Sequence, residues 1–223
     1  MTVVGAKHAV GRGWLAGLLV VGLLLLWQQV VFGGPMVSLD HAVRGWVHRT
    51  RQPVVGPLAQ VVADLANPPL VIAGMLLGTA LIAARRQSWR PLVTGVIAAV
   101  ILSVVVLALK HVVGRRGPAG DGSMLAWPSG HTTTAVVACG VIAATVYPRW
   151  GRLAALIAVL PPALVGIAMV LRNYHWVSDV VAGWLLGPLV LIAGHAAARW
   201  LFSRAQSTRP PAHEERVLAR PPR

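Results

Sequence analysis

The chain has 223 residues, of which 56% are hydrophobic and 12% charged, and a formal net charge of +14. A water-soluble domain carries about 25% charged residues, so this composition excludes an ordinary soluble globule and points to a surface that faces lipid. The single cysteine, Cys139, lies in an apolar run, which excludes an intrachain disulfide and a Cys-based metal site and leaves it as a small packing residue.

Six apolar segments are predicted to cross a bilayer whose ~30 Å core takes ~20 residues: 14–32, 69–84, 91–109, 132–147, 153–171 and 180–201. Lipid offers the backbone no hydrogen-bond partner, so each should be a helix. The predicted fold class is therefore all-α, an integral membrane bundle of six transmembrane helices spanning residues 14–201. Residues 1–13 form a cytoplasmic N-terminus, and 202–223 form a basic, Pro- and Arg-rich cytoplasmic tail expected to be disordered. Lys7 and Arg12 precede the first segment as in a signal peptide, but the run is long and no small-x-small site follows, so it reads as an uncleaved span. The gap after it contains PVVGPLAQVVADL at 53–65, an expected interfacial helix. That placement keeps Asp64 away from mid-bilayer, where it would cost about 2.5–3.5 kcal/mol. Pro161 and Pro162 are expected to kink or break the fifth span.

Arginine and lysine divide unevenly between the two sides. The N-terminus, the second and fourth gaps and the tail hold 13 of them, and the opposite side holds 7. The richer side marks the cytoplasm, so both termini are inside, in a cell membrane. Confinement of the charge to short gaps and the tail explains the pI near 11.9 without a nucleic-acid partner. The expected partner is the bilayer and its lipids.

The outer seven include Lys110, Arg115, Arg116 and Arg172, which fall in two of three polar clusters on one predicted face. KHVVGRRGP (110–118) leaves the third span, PSGH (128–131) leads into the fourth, and RNYHWVSD (172–179) joins the fifth to the sixth. Two spans separate His131 from His175 and return the chain to its starting side, so the clusters can meet. Together they supply what phosphoryl transfer needs. Arginine grips phosphate through paired hydrogen bonds, and Lys110 adds a cation. The N–H groups around Ser129, Gly130 and His131 open a helix and form an anion seat. Asp179, four residues after His175, can hold one ring nitrogen and leave the other as nucleophile. His131 remains as general acid. No metal-ligating cluster and no cofactor motif accompanies them.

Singly, each residue has a plainer explanation. Lys110 can snorkel, an interfacial histidine is usually structural, Tyr174 and Trp176 read as aromatic-belt anchors, and Asp179 or Ser178 can cap the sixth helix. Those explanations do not account for three clusters on one face. His8, His41, His48, His111, His195 and His213 lack such company.

In order and spacing these residues resemble the type 2 phosphatidic acid phosphatase (PAP2) family, whose pattern is Lys, six residues, Arg-Pro; then Pro-Ser-Gly-His; then Ser-Arg, five residues, His, three residues, Asp. Pro128–His131 matches throughout, Lys110 and Pro118 fit the first element, and His175 with Asp179 fit the third. Two family arginines are absent: Gly117 stands at the first position, and Ala168-Met169 replaces Ser-Arg. Arg115, Arg116 and Arg172 lie close enough in sequence to be stand-ins. The resemblance implies a metal-independent, cofactor-free phosphatase acting on a lipid phosphate or pyrophosphate at the outer leaflet, such as a polyprenyl pyrophosphate, phosphatidic acid or phosphatidylglycerol phosphate. It implies that His175 attacks phosphorus to give a phosphohistidine, Asp179 orients it, and His131 protonates the leaving group and then activates water. Lys110, Ser129 and Gly130 would hold the phosphoryl oxygens. The missing arginines keep a second reading open, a catalytically weak relative that binds a phosphorylated lipid. A transporter is a third, and the scarcity of ionisable residues deep in the spans counts against it.

Overall fold

The structure, a computed structural model, describes residues 3–207 apart from 51, 52, 54, 121–124 and 148. Among the described residues eight helices follow one another: α1 (Val3–Val31), α2 (Pro35–Thr50), α3 (Val55–Leu65), α4 (Pro68–Arg86), α5 (Arg90–Val113), α6 (Gly130–Val146), α7 (Gly151–Leu171) and α8 (Val177–Ser207). They build an all-α, multi-pass membrane bundle. Its outside is covered with exposed Leu, Val and Trp, as a lipid-facing surface requires.

Five helices are long and apolar enough to cross a bilayer among the described residues: Gly13–Val31, Pro68–Arg86, Arg90–Val113, Gly151–Leu171 and Val177–Ala205. The sixth predicted span, 132–147, is the 17-residue α6, which at 1.5 Å per residue rises only about 25 Å. α6 packs against α4, α5, α7 and α8. A helix sheathed in other helices is solvated by protein, so its length need not match the lipid. Glycines let α8 approach it: a Cβ at Gly187 would stand 2.4 Å from a Val136 methyl, and one at Gly140 would stand 2.3 Å from Leu191. Close approach through small residues is how helices gain packing energy where no hydrophobic force drives them together.

Several boundaries differ from the sequence expectations. α1 begins at Val3, so most of the predicted N-terminal segment is helical, and α5 and α8 extend past their predicted spans. The predicted tail straddles the end of α8 at Ser207, and residues 208–223 lie outside the described residues. The interfacial segment becomes α3, with Asp64 exposed and accepting a hydrogen bond from Gln60 (2.7 Å). Residues 35–50, part of the predicted gap between the first two spans, form α2. α7 runs unbroken through Pro161 and Pro162. The indole of Trp184 on α8 donates to the Pro162 carbonyl (3.1 Å), a neighbouring-helix contact of the kind that lets membrane helices tolerate proline.

Two apolar clusters set the site's walls. Leu102, Val106, Val137, Leu186 and Val190 lock α5, α6 and α8 together. Ala63, Ala135, Val165, Met169 and Val180 join α3, α6, α7 and α8 beneath the end where α5 finishes and α6 begins.

Candidate active site

At that end, three local structures deliver the polar residues. α5 stops at Gly114, whose positive φ (57°) gives a left-handed cap, its N–H bonding to the Lys110 carbonyl. This leaves Lys110 on the last turn and swings Arg115 away from the helix axis. α6 starts at Ser129, an N-cap whose hydroxyl accepts from the Thr132 N–H (3.4 Å) and from the Thr132 hydroxyl (3.0 Å). α7 ends with Asn173 in the left-handed region (φ 53°), the Asn173 N–H bonding to Val170 O and the Tyr174 N–H to Met169 O, each at 3.0 Å. That is a Schellman motif with asparagine in the position usually held by glycine. It reverses the chain and sets His175 two residues before α8.

The result is one cavity of about 380 Å³ whose wall includes Lys110, Gly130, His131, Tyr174 and His175. The His131 and His175 rings are 6.1 Å apart, centroid to centroid, at 65°. The Lys110 ammonium donates to the Leu125 carbonyl on the same wall. Gly130 and His131 occupy the first turn of α6, where backbone N–H groups have no carbonyl one turn earlier in the helix and the helix dipole is positive.

Behind His175 lies an enclosed ionic cluster. His175 Nδ1 is buried 3.5 Å from Asp179 Oδ2, without a hydrogen bond of good geometry, so Nε2 is the ring nitrogen left for the cavity. Asp179 Oδ2 accepts the Trp176 N–H (2.9 Å), so this carboxylate both caps the start of α8 and faces the histidine. Its Oδ1 accepts from Arg115 (2.6 Å), and the Asp179 carbonyl accepts the Ser129 N–H (3.0 Å), which ties α8 to the start of α6. Arg115 also donates to Ser178 Oγ (2.6 Å) and to Asp40 Oδ2 (2.7 Å).

The structure thus brings Lys110, Gly130, His131 and His175 onto one cavity wall and sets Asp179 directly behind it. Ser129 is fully buried, its N–H given to Asp179 and its hydroxyl engaged with Thr132. Both terminal nitrogens of Arg115 are occupied by Asp40, Asp179 and Ser178. Arg116 is exposed, its carbonyl accepting from the Trp176 indole (2.9 Å). Arg172 caps α7 and lies over the Tyr174 ring (5.9 Å). Gly117 lines the cavity, and Met169 is sealed in the apolar cluster below it. Among the described residues no group of three or more His, Cys, Asp or Glu could hold a metal ion.

Two sequence readings need correction. Trp176 is buried, flanked by His41 (5.0 Å between rings), Arg44 and Arg115, and is not a belt anchor. His41 therefore does have company. Asp40 was missed altogether. A signal existed, since it is one of only six acidic residues in the chain and sits on the predicted outer side.

Residues 88–203, just over half of the chain, match the sequence model of the PAP2 superfamily. A lipid A 1-phosphatase from Porphyromonas gingivalis is 30% identical over 119 residues, covering 53% of this chain and 26% of that protein, so the chain matches about a quarter of that relative's length. The crystal structure of a transmembrane PAP2-type phosphatidylglycerolphosphate phosphatase from Bacillus subtilis superposes with a TM-score of 0.70 at 21% identity, over 82% of this chain and 96% of that one. At that identity the likeness is one of fold.

Proposed function

The chain belongs to the PAP2 superfamily, and from that premise we propose that it is a metal-independent phosphatase of a lipid phosphate or pyrophosphate, working through a phosphohistidine. The observation that carries the reading is the cavity on which a lysine, a helix N-terminus and two histidines converge, with a carboxylate behind one of the histidines. Burial, with His175 and Lys110 adding to it, lowers the His131 pKa to about 4, so this ring takes up a proton as the anionic phosphate enters. Nε2 of His175 attacks phosphorus as the bond to the lipid oxygen breaks, and His131 gives that oxygen its proton. His131, now neutral, takes a proton from water, whose oxygen displaces Nε2 and releases phosphate. Lys110 and the first-turn N–H groups of α6 balance charge on the phosphoryl oxygens. The cavity lies at the end of the bundle opposite Arg85, Arg86, Arg90 and Arg149, which the positive-inside rule assigns to the cytoplasm. The proposed site therefore opens on the extracytoplasmic side, beside the outer-leaflet headgroups.

The test is phosphate release by purified protein in detergent with EDTA present. The substrates are polyprenyl pyrophosphate, phosphatidic acid, phosphatidylglycerol phosphate and, prompted by the named relative, lipid A. Release by wild type but not by His175→Ala supports the enzyme, and the fastest substrate names the lipid class. A binding-only relative is the competing outcome, favoured by the lack of a guanidinium at Gly117 and Met169 and by the engagement of Arg115 with carboxylates. It would give lipid binding with neither turnover nor a labelled histidine.

A further inference from the structure

Asp40 belongs to none of the motifs above and precedes the matched family region, yet its side chain is fully enclosed, with 1% of the residue exposed. A carboxylate so far from water is strongly disfavoured unless donors satisfy it. Three do. The Ser178 N–H reaches Oδ1 (2.9 Å), and the Ser178 hydroxyl (2.5 Å) and Arg115 (2.7 Å) reach Oδ2. α2 thereby holds the first turn of α8, the turn that carries Asp179.

We infer that Asp40 is a positioning residue for the phosphotransfer centre, taking up one arm of Arg115 so that the charge of Asp179 stays available to His175. The inference rests on the function proposed above. Its reason lies in charge balance. Arg115 and Asp179 alone would cancel, leaving His175 beside a neutral pair. With Asp40 the buried cluster carries one excess negative charge, and the Asp179 oxygen that Arg115 does not occupy faces His175 Nδ1. When Nε2 bonds to phosphorus while Nδ1 keeps its proton, the ring becomes cationic, and a fixed negative charge behind it stabilises that state. Among the described residues, the other titratable side chains on the cavity wall are His131 from α6, Lys110 from α5 and Tyr174, and Arg44 of α2 lies over the Trp176 ring behind it. None of these is a carboxylate. Asp40 acts through geometry as well, because its grip on both polar groups of Ser178 fixes the turn from which Asp179 projects.

The test is a cycle of Asp40→Asn, Asp179→Asn and the double variant, read by steady-state kinetics and by ¹⁵N spectra of histidine-labelled protein. The His175 signal is assigned by its loss in His175→Ala. Asp40→Asn should lower kcat about 10- to 100-fold, the range found when a supporting partner behind a functional histidine is removed. KM should change less than about threefold. The double variant should be no slower than Asp179→Asn alone, because both changes remove one device. The His175 signal should shift in Asp40→Asn. Unchanged kcat with an unmoved His175 signal would overturn the inference, and so would losses that simply multiply, which mark a structural role elsewhere. If wild type releases no phosphate from any substrate, the proposed function fails, and the His175 signal then decides the positioning question alone. If Asp40→Asn does not fold, Ser178→Ala takes its place, since it removes the hydroxyl's contacts with Asp40 and Arg115, keeps the backbone N–H to Asp40 and removes no charge. A few-fold loss of kcat, absent in the Asp179→Asn background, is expected there, and an additive loss or none overturns the inference.

Discussion

Gly183→Ala tests whether the contact between α6 and α8 sets the distance between the two histidines. Gly183 is buried on α8, and a Cβ there would stand 3.0 Å from Thr132 Cβ, 3.2 Å from Thr132 Cγ2 and 3.2 Å from the Ser129 carbonyl oxygen. Relief requires a movement of a few tenths of an ångström. The neighbours that must move are the N-cap and first turn of α6, which carry His131. Overpacking of this kind costs about 1–3 kcal/mol, and alanine returns about 1 kcal/mol over glycine inside a helix. The net loss is therefore about 0–2 kcal/mol. At about 2–4 °C per kcal/mol for a chain of this size, Tm should fall by no more than about 8 °C. Catalysis should be hit harder. If a 1 Å misplacement costs about 100-fold, a shift of about 0.3–0.5 Å scales to roughly 4- to 10-fold in kcat. Phosphate release and thermal unfolding in the same detergent measure both quantities. Gly74→Ala is the control, because that glycine is exposed on α4 with nothing within 4 Å of a Cβ, and it should leave kcat unchanged. Wild-type kcat and Tm in Gly183→Ala would refute the reasoning, since α6 would then be free to yield without moving His131.

His175→Ala and His131→Ala should each lose at least ~10³-fold in rate, and near-normal turnover in either sinks the assigned roles. Arg115→Met strands two carboxylates that are fully buried, so stability should fall by about 3–5 kcal/mol, or about 6–20 °C in Tm. Arg115→Lys should fall between wild type and Met, because one ammonium cannot bridge two carboxylates as a planar fork does; a shift in Arg115→Met below about 2 °C would contradict the ionic reading. Arg172→Ala should leave kcat unchanged if its guanidinium serves Tyr174, as the stacking suggests, whereas a large rise in KM would make it a phosphate ligand.

Much was legible in the sequence because membrane insertion is a matter of local composition. A run of apolar residues must be a helix wherever it lies in lipid, so the order of the helices and the meeting of the three polar clusters at one end of the bundle could be read one segment at a time. The motif PSGH announced itself in the same way, since Ser129 caps the helix that His131 opens and both effects act within one turn. Arg115 shows where that reading stops. Its neighbours in the chain suggested a phosphate ligand, but its partners are 63, 64 and 75 residues away. The length of α6 was open for a related reason, because a helix enclosed by protein answers to its neighbours and not to the bilayer.

Residues 168–169 and 40 mark the same division. That Met169 is no cation can be read from the sequence, and that it is sealed among Ala63, Val165 and Val180 cannot. Asp40 looked like one more acidic residue in a connecting segment until α2 packed against α8. The sequence by itself determined the solvent, the helices and the chemical groups at one membrane face, because hydrophobicity, capping and covalent spacing act over a few residues. The tertiary structure alone decided which cation meets which carboxylate and which side of His175 faces the cavity. Those choices depend on ångström-scale distances between helices far apart in the chain, and they carry large energies only because the fold excludes water around them.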